Sequence, residues 1–284
     1  MSQNETNNDN NMIVEFFLNK GLFVTLCIVI GTIFLGNCTS TLKYKFKGTS
    51  GIGTEIELGG NLFKPEGEGP FPAVVLLHAC EGIISCNYTW ADKLVEWGYV
   101  AFVIDSLGPR YKSNCCGGRT ACPNPLERAL DAHSAKSYLR SFPFISYDNI
   151  AVMGWAHGGN AAAKSVFKSI DMTFSNQKLD PFKAAIAFYP YCKGPVDFNA
   201  PLLILVGEKD NGTPAQLCSD VVEEELKEKP KHELKLKIYK DAHHRFDCEI
   251  FDNVRKGKYI MSYDPVAASD SVLQVKEFLD KYLK

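Results

Sequence analysis

Short runs of apolar, often β-branched residues alternate along most of the chain with longer stretches in which apolar residues recur every three or four positions. The short runs predict strands over residues 54–58, 73–78, 100–105, 150–154, 184–189, 202–207 and 234–239. The longer stretches predict helices over residues 89–97, 125–141, 159–170, 215–227 and 265–282. That order builds an α/β fold with a mostly parallel central sheet and helices on both faces. No internal repeat or long Pro- or Ser-rich linker interrupts it, so residues 39–284 are expected to form one domain.

The N-terminal pattern differs. Residues 1–11 are almost entirely polar and predict disorder, whereas residues 21–36 are apolar and uncharged after Lys20. A run of that length matches the apolar part of an export signal better than the roughly 20 residues of a membrane span. Leu35-Gly36-Asn37-Cys38 resembles a lipoprotein cleavage site that would lipidate Cys38, although Asn37 is larger than such sites prefer. A cleaved signal and a retained anchor are the alternatives. Glu5, Asp9 and Glu15 outnumber the bases ahead of Lys20, which would make Met12 the better start for an export signal. The expected location is the cell envelope, in the periplasm or attached to the membrane.

Ten cysteines strengthen that expectation, because an oxidising compartment lets them pair. Cys192 and Cys218 lie just past neighbouring strand ends and are expected to bridge, with Cys248 as a competing partner. Cys115, Cys116 and Cys122 share a Gly-rich loop where a metal is conceivable, but no second cluster at zinc-ligand spacing accompanies them, and disulfides are expected instead. Hydrophobic residues at 45%, charged residues at 23% and a net charge of -2 exclude a general nucleic-acid binder. No metal or cofactor is expected.

In parallel sheets, reacting groups gather in loops at the carboxyl ends of strands. One such loop is Gly154-Trp155-Ala156-His157-Gly158-Gly159, a strand-to-helix turn of the kind that exposes a nucleophile at its centre. Ala156 stands there with no atom able to attack a carbonyl. Asp210, after the strand LLILVG, and His244, after LKLKIY, complete the chain order nucleophile, acid, base. His243 is a less favoured base. The amides of Cys80 and His157 are the expected oxyanion hole. Arg110 is a candidate to hold a substrate carboxylate, or else a structural arginine, and Tyr189 and Trp155 are expected as pocket wall or core. The Cys80 thiol and His157 are remote alternatives as attacking groups.

The segments GPFPAVVLLHACEG, GYVAFVIDSLGPR, NIAVMGWAHGGNAA, AIAFYPYC, PLLILVGEKDNGTPAQLC and YKDAHHRFD resemble the dienelactone hydrolase (carboxymethylenebutenolidase) family in order and spacing. The resemblance implies an α/β-hydrolase fold, with Ala156 at the Ser/Cys nucleophile position, Asp210 as acid and His244 as base. It implies ester or lactone chemistry on a small molecule. Ala79 and Glu81 stand where relatives tend to have Gly, and a carboxylate near the oxyanion hole would oppose the developing charge, so Glu81 is expected to point to solvent. Three functions follow: a hydrolase-fold protein that binds such a compound but is impaired in turnover, an active esterase or lactonase inactivated by Ala156, or an envelope scaffold.

Overall fold

The computed structural model describes residues 41–49, 54–118, 121–168, 179–193, 197–256 and 259–284. The export segment and Cys38 lie outside the described residues. Eight strands form the main sheet: β1 Thr41–Thr49, β2 Glu55–Phe63, β3 Phe71–Leu77, β4 Val100–Asp105, β5 Ile145–Trp155, β6 Ala185–Phe188, β7 Leu202–Gly207 and β8 Leu234–Tyr239, in the order β1-β2-β4-β3-β5-β6-β7-β8. β1 pairs antiparallel with β2, and β2 with β4; every later pairing is parallel. Among the described residues five helices, α1 Ser85–Glu96, α2 Pro125–Leu139, α3 His157–Lys164, α4 Ala215–Lys227 and α5 Pro265–Leu283, cover the sheet, and a small hairpin of β9 Val254–Lys256 and β10 Tyr259–Met261 precedes α5.

The central strands are buried on both faces, which is why VVLL, VAFVI and LLILV read as continuous apolar runs rather than alternations. One face packs Val75, Phe102 and Val152 with α2–α4, and the other packs Val74, Val103 and Met153 with α1 and α5.

Several elements depart from the expected pattern: β1, β9 and β10 have no counterpart in it, β2 runs on to Phe63, β5 starts at Ile145 and α3 is shorter. β1 was not expected as a strand, and the sequence TLKYKFKGT shows why: Lys43, Lys45 and Lys47 face solvent, while Phe46 alone supplies a large buried side chain at this sheet edge. α3 ends at Lys164, earlier than the expected 170, because the chain beyond it pairs with another segment. Asn199 N–H donates to Val166 O at 2.8 Å and Lys168 N–H to Asp197 O at 2.8 Å, drawing residues 166–168 out of the helix path.

Candidate active site

β5 runs directly into α3 through Ala156, whose φ of 49° and ψ of -112° place it in a region that L-residues rarely occupy. Such a conformation costs about 1–3 kcal/mol and persists only when its surroundings hold it. They do so here: Ala156 N–H donates to Phe188 O at 2.9 Å, and Ala156 O accepts from Asn160 N–H at 2.9 Å. The flanking glycines are steric requirements. A Cβ on Gly154 would lie 2.2 Å from Gly158 O, and one on Gly158 would lie 2.1 Å from Leu77 O. The sequence therefore builds the strained turn in full and places a methyl group at its apex.

Ala156 borders a cavity of about 720 Å³ whose other walls include Cys80, Glu81, Thr213, His244, Arg245 and the hairpin residues Tyr259 and Met261. His244 Nδ1 lies 2.6 Å from Asp210 Oδ2. A carboxylate can only accept, so Nδ1 carries a proton, and in the neutral ring Nε2 is the nitrogen left to act as base. Burial opposes ionisation of Asp210. The hydrogen bond and charge of His244, with donation from the Thr213 backbone and hydroxyl, outweigh it and hold the carboxyl below its ordinary range. Thr213 Oγ1 donates to Asp210 Oδ2 at 2.8 Å, and the Gly212 and Thr213 amides reach Oδ1 at 2.8 Å each. Behind the imidazole, Ser262 N–H donates to His244 O at 3.0 Å, so the segment after β10 fixes the backbone that carries the base.

His157 is the first residue of α3, where a backbone N–H has no intrahelical acceptor. Its side chain rests on Arg128, which donates from Nη1 to His157 Nδ1 at 2.9 Å and from Nη2 to His78 O at 2.6 Å. Burial, then the Arg128 charge, pulls His157 down to about 4, so the ring is neutral and accepts. Burial also lowers Arg128, to about 10, which leaves it cationic at neutral pH. His78 in turn shapes the opposite turn: its Nδ1 lies 2.6 Å from Ala79 O, and its Nε2 accepts from Ser106 N–H at 3.2 Å. Arg128 thus ties together the two turns that carry the Cys80 and His157 amides.

One expectation, for Glu81, is corrected, and for other residues the structure decides between the alternatives left open. Glu81 does not point to solvent: its side chain is 14% exposed, borders the cavity and pairs with Arg245. The guanidinium offsets the carboxylate charge that would otherwise oppose an oxyanion. Arg110 forms a two-pronged pair with Asp131 at 2.9 Å on each side, and also donates to Ser106 O at 2.8 Å, so its fork is used structurally rather than offered to a substrate. The Cys80 thiol is unavailable as an attacking group because it is bonded to Cys116. The same bond removes two thiolates from the Cys80, Glu81 and Cys116 cluster, whose donor atoms are otherwise close enough to hold a metal. Tyr189 and Trp155 are buried, and their polar tips meet one carboxylate: Tyr189 Oη donates to Asp247 Oδ1 at 2.7 Å, and the indoles of Trp155 and Trp90 donate to Oδ2 at 2.8 and 2.9 Å.

Arg128, Thr213 and the Glu81–Arg245 pair were not singled out as a group from the sequence. Thr213 had a legible signal, the three-residue spacing after Asp210 that lets a hydroxyl and amides fold back on a carboxylate. Arg128 had none, since an arginine in the first turns of a helix ordinarily reads as solvated.

The eight cysteines beyond residue 38 form four disulfides: Cys80–Cys116, Cys86–Cys248, Cys115–Cys122 and Cys192–Cys218. The expected Cys192–Cys218 bridge is present, with Cα atoms 4.9 Å apart, and Cys248 pairs elsewhere. This count fits an oxidising compartment. Among the described residues, no helix is long and apolar enough to cross a membrane.

The sequence model of the dienelactone hydrolase family matches residues 58–283. A curated relative from Bradyrhizobium sp., described as "Probable 2-oxo-3-(5-oxofuran-2-ylidene)propanoate lactonase", is 24% identical over 229 residues, covering 74% of this chain and 84% of its own. Among solved structures, a dienelactone hydrolase-like promiscuous phosphotriesterase from metagenomic libraries aligns with a TM-score of 0.64 at 17% identity, covering 86% of this chain and 100% of its own. Esterase 2 of Thermogutta terrifontis, phosphorylated by paraoxon, aligns with a TM-score of 0.60 at 18% identity, covering 85% and 94%. These structures share the α/β-hydrolase fold.

Proposed function

The chain belongs to the dienelactone hydrolase family, and from that premise we propose that it binds a small ester- or lactone-type carbonyl compound in the cavity above Ala156 without forming an acyl-enzyme. The observation that carries this reading is the coexistence of an intact Asp210–His244 pair with a strained turn that ends in a methyl group. In the hydrolase reaction the apical side chain attacks, His244 Nε2 takes its proton, Asp210 holds the imidazole and two amides receive the oxyanion. Every part except the attacking atom has a candidate here. Cys80 and His157 supply the amides, with Arg128 holding their turns. Asp210 and His244 supply the base. The Glu81–Arg245 pair cancels one charge against another, and Lys256 adds a positive charge at the cavity wall.

Acylation followed by intact-protein mass spectrometry tests this reading. With excess 4-nitrophenyl acetate the chain should gain no acetyl group on the cavity wall, whereas Ala156→Ser should gain one at residue 156. An acetyl adduct in the unaltered chain at a cavity residue would overturn it.

The four disulfides support an exported location for residues 39–284, with the apolar segment at 21–36 as the signal or anchor and Cys38 as its lipidation point. Fractionation of cells making the untagged chain tests this: recovery in the reducing cytoplasm with an intact N-terminus contradicts it.

A further inference from the structure

A site with a base, an oxyanion hole and no nucleophile retains one reaction class in full, which is proton transfer at the carbon next to a carbonyl. Building negative charge on a carbonyl oxygen is common to both chemistries. In acyl transfer the charge comes from attack at the carbonyl carbon, and in enolisation it comes from loss of an α-proton. The same two amides serve both. The base is also unchanged, because Asp210 fixes the proton on Nδ1 and leaves the Nε2 lone pair free to take a proton from carbon as readily as from a hydroxyl.

The departures of this chain favour the second chemistry. With Ala156 at the apex, a carbonyl seated on the Cys80 and His157 amides meets a methyl group instead of an oxygen that would acylate. Arg128, fully buried and cationic at neutral pH, joins the turns that carry those amides by donating to His78 O and the His157 ring. A fixed positive charge in the buried layer that joins the two turns favours the negative charge of an enolate that must persist until it is reprotonated. The cavity of about 720 Å³ has room for a five-membered lactone, and Phe251, Tyr259 and Met261 give it an apolar side.

We propose that this site is an unsaturated-lactone isomerase: the Asp210–His244 pair, the Cys80 and His157 amides and the Ala156 methyl group together move a double bond within a β,γ-unsaturated lactone. The proposal rests on the reading of Asp210, His244 and the two amides given above. His244 Nε2 takes a proton from the α-carbon. The C–H electron pair forms a new π bond to the carbonyl carbon, and the carbonyl π pair moves to oxygen, giving a dienolate. The imidazolium then returns the proton to the γ-carbon, the oxygen pair re-forms the carbonyl, and the double bond comes to lie between the α- and β-carbons. The lactone ring stays closed, nothing is oxidised or reduced and no co-reactant is consumed.

The test follows α-angelica lactone by proton NMR in deuterated buffer with the full chain as it stands. The expected result is deuterium at the α- and γ-carbons of an intact lactone, and the α,β-unsaturated isomer, at a rate about 100-fold above buffer, the lower end of what a positioned base supplies. His244→Gln and Asp210→Asn should each remove most of that gain while keeping the circular dichroism of the parent. Exchange at the buffer rate overturns the proposal. Histidine-dependent opening to the 4-oxo acid also overturns it, since it assigns the base to water rather than carbon. Ala156→Ser is assayed alongside on 4-nitrophenyl acetate. If it gains His244-dependent hydrolysis while the parent shows no exchange, isomerisation fails and the site reading stands. If it gains none, the site reading itself has failed.

Discussion

Arg128 donates to the His157 ring at 2.9 Å while its other terminal nitrogen holds His78 O at 2.6 Å, so one buried guanidinium braces both turns of the candidate oxyanion hole. The arrangement depends on a neutral His157, and the Arg128 charge, after burial, is what keeps that ring neutral.

Replacing this arginine should therefore damage turnover more than binding. In an Ala156→Ser background, Arg128→Lys is expected to lower kcat by about 10- to 100-fold with a smaller change in KM, because a single ammonium cannot hold two turns in a fixed geometry. Steady-state kinetics on an activated ester, with urea midpoints to separate the stability loss, check it.

Three histidines are held neutral by burial: His133 and His157 are lowered to about 4, and His78 falls well below its ordinary value. The unfolded chain protonates them below about pH 6.5 while the folded chain does not. Their contribution to stability is thus complete above that pH and is lost as pH falls from about 6.5 toward about 4. His133 and His157 should each cost about 1–2 kcal/mol between pH 7 and pH 5, and His78 acts in the same direction. Urea unfolding at the two pH values measures the sum, and a midpoint that rises on acidification contradicts it.

The disulfides should contribute unequally. Cys86–Cys248 spans 162 residues of sequence and Cys115–Cys122 spans 7. Chain-entropy arguments assign about 5 kcal/mol to the first and about 2 kcal/mol to the second. Replacing both cysteines of the long bridge by Ala should lower Tm clearly more than the same change in the short one, as read by calorimetry on oxidised protein.

Much of the fold was legible in the chain. Residues 100–105, 202–207, 215–227 and 234–239 fold with the bounds their periodicity indicates, because β4 and β7 are buried on both faces, α4 is amphipathic and the edge strand β8 alternates Leu with Lys, so each writes its environment directly into local pattern. β9 and β10, of three residues each, are too short to carry a period. In the site, Ala156, Asp210 and His244 could be placed because each follows a readable strand. Glu81 and Arg245 could not be paired from sequence, since 163 intervening positions separate them and only the fold brings the turn after β3 beside the loop after β8. Arg110 stayed open between two roles for a related reason: its partner Asp131 lies on α2, so only the fold shows that its fork is taken.

The claim that Ala156 stands in otherwise complete hydrolytic machinery is tested most directly by the rate of one chromogenic acyl ester with three proteins: the chain itself, Ala156→Ser, and Ala156→Ser combined with His244→Ala. Loss of the nucleophile in a comparable triad costs on the order of 10⁶ in turnover, so the parent should be nearly silent. Ala156→Ser should rise by at least about 10³-fold, and the His244→Ala change should return it close to the parent rate. A folded Ala156→Ser protein no faster than the parent, or one whose gained activity survives the loss of His244, would contradict the account.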